Sequence, residues 1–240
     1  MSKQSDLVSV SQGASGDPLF IDTVNDRVGI GTSSPNLNTI GTVLHVNNGN
    51  VAHAALTRYT TGDTGSAATD GFDVGMWSDG DAFVWMRESA NMRFATAGTE
   101  RMRIDTAGRV TMPYQPAFYA RRTAGSVTGP ATVVFNDAQL NVGGHYNAGT
   151  GTFTVPIAGV YEFHVSLLTN GGATRCQSDI QVNGLGRTIL EQSAGYGYQQ
   201  GSMTLMLSLA ANDFVTVTMN SSSDAMYGFG YNSFSGKLVG

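Results

Sequence analysis

Side chains able to do acid, base, nucleophilic or metal chemistry are few in this chain, and they are scattered. His45, His53, His145 and His164 share no metal-ligand spacing, so they read as strand-surface or core histidines. Ser78-Asp79-Gly80-Asp81 brings two carboxylates close together but lacks the ligand register and terminal glutamate of a calcium loop; it reads as a β-turn. Gly143-Gly144 and Gly171-Gly172 follow no phosphate-loop pattern. Glycan hydrolysis needs two carboxylates at a controlled separation; the chain has only 18 acidic residues and little room for a long β-helical body, so such an activity is not expected. Cys176 is the single cysteine; it reads as a free, inert thiol, with a bridge between subunits as the alternative. The expectation is a non-enzyme with no catalytic residue, no cofactor and no metal.

The residues best suited to recognition are aromatic and amide side chains. Tyr196, Tyr198, Gln199 and Gln200 lie in a glycine-rich connection, Tyr227 and Phe229 lie in another, and Asp224 is the acid just before it. Tyrosines beside amides suit stacking on sugar rings with polar contacts at the edge. The same rings could instead pack between subunits, and both readings stay open at this stage.

Charge excludes other classes. Net charge is -5, only 13% of residues are charged, and no basic cluster exists, so neither nucleic acid nor an anionic membrane surface is an expected partner. Arg121-Arg122, the one adjacent basic pair, reads as a solvated strand edge. No run reaches transmembrane length, which argues against membrane insertion, and the first residues lack a secretory pattern. A chain working outside a cell is then expected to leave by lysis.

These residues must be positioned by strands. Hydrophobic residues make up 41% and glycine contributes 31 residues, the mixture expected of short strands joined by tight turns. Residues 1–18 read as a flexible polar arm. Residues 19–113 carry short β-like pieces at Phe20–Thr23, Arg27–Gly31 and Val43–Val46, then a hairpin from Gly71 to Trp85 with aromatics on one face, then Arg93–Thr96. Ile21-Asp22-Thr23 before Arg27-Val28 returns as Ile104-Asp105-Thr106 before Arg109-Val110, which suggests a repeated strand–turn–strand module. Such pieces are too short to enclose a core in one chain, so Val28, Ile30, Ile104 and Val110 are candidates for contacts between copies. From residue 114 to 240 alternation becomes regular at Phe153, Val155 and Ile157, at Tyr161 to Leu167, at Met203 to Leu209, and at Val215 to Met219. Several strands at this rhythm predict a sandwich or barrel.

From about Phe135 onward the chain resembles the globular head of complement component one, subunit q, within the tumour-necrosis-factor-like superfamily. Phe135-Asn136, Tyr146-Asn147, Thr150-Gly151-Thr152-Phe153-Thr154-Val155-Pro156, Gly159-Val160-Tyr161-Glu162-Phe163, the run Gly201–Leu209, Asp213-Phe214-Val215 and Asn232–Leu238 carry the likeness. It implies a ten-stranded jelly roll that assembles as a homotrimer, with Tyr161, Phe163, Phe229 and Phe234 as further trimer-core candidates. Some relatives bind calcium through acidic apical loops; here Ser221–Ala225 offers only Asp224, so no metal is expected.

The N-terminal half resembles bacteriophage fibre proteins, on Arg27-Val28-Gly29-Ile30-Gly31-Thr32, Arg101-Met102-Arg103-Ile104-Asp105 and the block from Gly71 to Met102. The combined expectation is an all-β trimeric fibre with three parts: an arm (1–18) anchored to a virion protein, a β-rich shaft (19–113) and a jelly-roll head (114–240). The head would contact a host-surface glycan or protein. A capsid-surface fibre or decoration protein without receptor binding is the alternative, and a depolymerase a weaker one.

Overall fold

The computed structural model describes residues 19–22, 27–30, 32, 43–49, 52–169, 176–192, 197–220, 222 and 224–240. The arm, 1–18, and Tyr196 lie outside these residues. Among them every regular element is a strand. The chain divides into an N-terminal unit, Met1–Val110, and a C-terminal unit, Thr111–Gly240.

The N-terminal unit holds three small sheets. The first joins β1 (Leu19–Asp22), β2 (Arg27–Ile30) and β3 (Val43–Val46), with β1–β2 antiparallel and β2–β3 parallel. The second is antiparallel and joins β4 (Ala55–Tyr59), β5 (Phe72–Met76) and β6 (Ala82–Met86). The third joins β7 (Met92–Thr96), β8 (Thr99–Ile104) and β9 (Val110–Thr111). The repeated phrase has a physical reason in its second copy. Asp105 Oδ1 accepts from the Ala107 and Arg109 amides at 2.9 and 3.0 Å, and Oδ2 accepts from Arg109 Nε at 2.7 Å. Aspartate and arginine therefore clamp the turn, and Gly108 supplies its positive φ of 79°.

Register fixes the two faces of the second sheet. Thr57, Val74 and Val84 pair across the strands, as do Tyr59, Phe72 and Met86, and Ala55, Met76 and Ala82. That face is apolar except for Thr57. The other face carries Leu56, Phe83 and the Arg58–Asp73–Trp85 row, with the Trp77 ring tilted against Phe83 at 4.8 Å. Aromatics were expected on one face only; Tyr59 and Phe72 instead take the opposite face from Trp85, because alternate residues must alternate in direction.

Asp73 is fully buried between Arg58 (2.7 Å) and Arg87 (2.5 Å). The hydrogen bond from Arg58 outweighs the cost of burial, and with Arg87 it holds the carboxyl at about 2. A depressed folded value means the contribution is present above the unfolded value, about 3.9, and is lost as pH falls toward 2. Both tryptophans of the chain, Trp77 and Trp85, lie in this unit. Tryptophan fluorescence is expected to stay constant down to about pH 4 and to change cooperatively between about 4 and 2. Asp73→Asn should remove that acid transition and weaken the unit at pH 7, since it leaves two facing guanidinium groups.

The C-terminal unit packs a five-stranded and a six-stranded sheet face to face. One has the order β13 (Asp137–Val142), β10 (Ala117–Arg121), β22 (Ser233–Leu238), β16 (Gly159–Leu168), β19 (Gln200–Leu209). The other has β14 (Tyr146–Asn147), β15 (Thr152–Thr154), β20 (Phe214–Met219), β17 (Cys176–Val182), β18 (Leu185–Gln192). Short β11 (Val127–Thr128) pairs with β21 (Ala225–Met226), and β12 (Ala131–Thr132) adds to β20. This is the jelly roll, and its two main sheets hold eleven strands, the short β12 being one more than the ten expected. Alternate residues of β16, namely Tyr161, Phe163, Val165 and Leu167, are wholly enclosed. Phe118 sits at the centre, with ring centroids 4.7 Å from Tyr146, 4.9 Å from Phe153 and 5.0 Å from Phe234. Gly236 makes room for this stack: a Cβ there would lie 2.5 Å from the Phe163 ring and 2.8 Å from Phe118.

Two sequence readings need correction. The alternating run through Ile157 breaks at Pro156, which cannot donate to a ladder, and Ile157 is exposed. Arg121-Arg122 is no solvated edge. Arg121 pairs with Asp137 at 2.9 Å, and half-buried Arg122 donates to the carbonyls of Gly125 (2.9 Å) and Val134 (2.8 Å).

Candidate functional site, an aromatic cluster at one end of the sandwich

Strand direction defines the two ends of the C-terminal unit. Ala117 begins β10 opposite Lys237 of β22, and the Val160 amide at the start of β16 donates to Gly240 O at 2.6 Å. The chain therefore enters and leaves this unit at one end. β16 then runs ten residues, roughly 30 Å, to Leu168 at the other end. Two connections meet there. The Tyr227 amide donates to Leu168 O at 2.8 Å, and the Thr169 amide to Gln199 O at 2.7 Å. Thr169 Oγ1 also bonds both the amide and the carbonyl of Gln199, each at 2.9 Å, while Gln192 Nε2 donates to the same carbonyl at 3.0 Å. Gln199 is thus held by its backbone, and its side chain is left exposed.

These anchors bring four rings together. Tyr227 lies 5.0 Å from Tyr198 in an edge-on contact, 5.4 Å from Phe229 and 5.8 Å from Tyr231. Tyr198, Phe229 and Tyr231 are 57%, 60% and 59% exposed, so the cluster is a surface feature with half-buried Tyr227 at its hub. A bulky residue at positive φ is a strained one, and Phe229 has φ 59°. Bonds from the Phe229 amide to Ala124 O (3.0 Å) and from the Gly230 amide to Arg122 O (2.6 Å) hold it there. Gly228 lets this turn lie against Ala124 and Gly125; any Cβ would strike the Ala124 carbonyl.

Asn232 ties the cluster to the core. It is buried, its Oδ1 accepts from the Leu168 amide at 2.6 Å, and its Nδ2 donates to the Tyr227 carbonyl. Asn232→Ala strands both groups away from water, and the expected loss is about 2 kcal/mol. Chemical unfolding should register it, with faster hydrogen exchange at the Leu168 and Tyr227 amides.

Other expected site residues fall elsewhere. Gln200 lies on β19 and its amide reaches Ser166 Oγ at 2.9 Å. Asp224 does not belong on an apical surface: it is wholly buried, and it accepts from the Gln177 amide at 3.0 Å. Burying a carboxylate requires such donors. Tyr161, Phe163 and Phe234 are also corrected, because each is enclosed within one chain and cannot line a contact between chains. Strand parity is the reason. Their neighbours Glu162, His164, Ser233 and Ser235 take the outer face. Phe229 belongs to the exposed cluster. In the N-terminal unit, Val28 and Ile104 are half-buried, while Ile30 and Val110 are exposed. Tyr231 was missed, although the spacing Tyr227-x-Phe229-x-Tyr231 could have signalled it.

The remaining reactive groups are dispersed. Burial, with the Asp224 charge, pushes the Cys176 thiol up to about 12, so it is protonated and a poor nucleophile at neutral pH. His164 Nδ1 bonds Thr204 Oγ1 at 2.9 Å on the outer face of β16. Among the described residues no group of three or more His, Cys, Asp or Glu side chains could hold a metal ion.

The C-terminal unit is similar to known proteins. A family model described as the C1q domain matches residues 117–239. Mouse multimerin-1 is 41% identical over 51 residues, which is 21% of this chain and 4% of that protein. Among solved structures, the globular domain of zebrafish complement 1qA protein is similar at 22% identity and TM-score 0.43, covering 52% of this chain and 98% of that one. Eiger TNF from S. frugiperda is similar at 16% identity and TM-score 0.45, covering 52% and 93%. Through its C-terminal half, this chain belongs to the C1q domain family.

Proposed function

We propose that the protein is a non-enzymatic, homotrimeric fibre of a bacteriophage virion whose jelly-roll head attaches to a host surface. The observation that carries the attachment role is the four-ring cluster exposed at the end opposite the chain's entry and exit. Flat rings with rigid backbones and few charges suit stacking on sugars, with Gln199 and the tyrosine hydroxyls for edge contacts. Three heads side by side convert weak single contacts into firm attachment.

Trimer formation is supported by the outer face of the β16 sheet, where Tyr119, Leu140 and Met206 stand 38%, 48% and 61% exposed. The virion assignment draws its support from the fibre-like phrases of the N-terminal half and from the order shaft then head. The matched relatives are animal proteins. In this reading residues 1–18 anchor to a virion protein, and the chain is made in the host cytoplasm before packaging into particles. Purified full-length chain applied to an array of bacterial surface polysaccharides should bind a subset without releasing sugar. Binding to none, together with failure to block infection, would favour a decoration fibre; sugar release would favour a depolymerase.

A further inference from the structure

We propose that the apolar face of the β4–β6 sheet is a contact surface for two further copies of the same chain, an inference that rests on the trimeric reading above. Among the described residues, every fully buried hydrophobic side chain belongs to the C-terminal unit. The N-terminal unit therefore forms strands without a core of its own, and its sheets leave apolar faces open. The β4–β6 sheet shows this most clearly. Tyr59, Val74, Met76 and Val84 project from one face and are 62%, 40%, 53% and 55% exposed, while the other carries the ion cluster around Asp73 together with Phe83 and Trp85.

Size selects the occupant. Five residues along and three strands across give a footprint of roughly 17 by 14 Å, about 240 Å². A stable complex between free partners needs about 800 Å² per side, so this face is too small to recruit a foreign protein from dilution. Copies tethered through their heads meet at millimolar effective concentration, where a small apolar face suffices. Three such faces turned toward a common axis bury Val74 and Val84, the middle row of the sheet, and leave the opposite faces turned away from the axis.

Cross-linking tests this on the full chain. The one native thiol, Cys176, is buried, so a cysteine introduced by Val84→Cys is the reactive one. A short bis-maleimide should join Val84→Cys chains to one another in high yield, and should join Asp79→Cys chains, altered in the exposed β5–β6 turn, at least tenfold less. Light scattering on the same samples separates the two levels of the argument. A trimeric mass with equal linking at both positions would overturn the face contact alone. A monomeric mass would overturn the trimer and the face contact together.

Discussion

Full-length protein carrying Tyr227→Ala should lose about 30-fold or more in apparent affinity for whichever surface polysaccharide the wild type captures, with its mass and thermal midpoint unchanged. Tyr227 touches each of the other three rings, so its removal unseats the whole platform rather than one contact. Central aromatic anchors of this kind carry about 2 kcal/mol or more of binding, which is about 30-fold, and the loss compounds when three heads engage together. Stability should hold because the ring is half-buried at the surface and its backbone bonds to Leu168 and Asn232 do not depend on the side chain. Titration on the immobilised polysaccharide measures the effect. Unchanged binding would place recognition on another surface, and a monomeric variant would mean that the rings hold the trimer together.

Phe118→Ala should have the largest effect on stability. Its ring contacts Tyr146, Phe153, Phe163 and Phe234 from both sheets, and these neighbours are locked too tightly to collapse into the space. A buried phenylalanine truncated in such a setting costs about 4 kcal/mol, a large share of the 5–15 kcal/mol typical of a folded domain. Far-ultraviolet circular dichroism should show the C-terminal unit melting roughly 15 °C earlier. A cost below about 1 kcal/mol would mean that the aromatic stack is not the centre of the core.

The strands of the C-terminal unit were legible wherever one face is buried and the other wet. Tyr161 to Leu167 and Met203 to Leu209 alternate for that reason, and both became long strands. What the pattern could not supply is which side the buried set faces. Alternation looks the same whether the hidden face meets a second sheet or a second chain; the family resemblance suggested Tyr161, Phe163 and Phe234 for a subunit contact, and they close the protomer's own core. β17 was harder to read because Ser178 stands in the buried set with Cys176, Ile180 and Val182, and Asp179 on the other side is buried too. Recognition residues were half visible. Tyr198 and Tyr227 stand 29 positions apart in the chain, and their meeting depends on Thr169 clasping Gln199 beside the Leu168–Tyr227 bond. Asp224 deceived because a loop acid ordinarily means a surface acid, whereas here the Gln177 amide receives it inside.

In the N-terminal unit the opposite held. Its short strands followed from local phrases, and the lack of a fully buried hydrophobic side chain among the described residues followed from their brevity. In the proposed trimer such a chain is completed by its copies, and that can be weighed directly. Light scattering of purified full-length protein across a hundredfold range of concentration should give a constant mass of three times the 25.2 kDa of one chain. A stable species of 25.2 kDa with folded tryptophan fluorescence would contradict the trimer, and with it the shared shaft and the three-headed attachment surface.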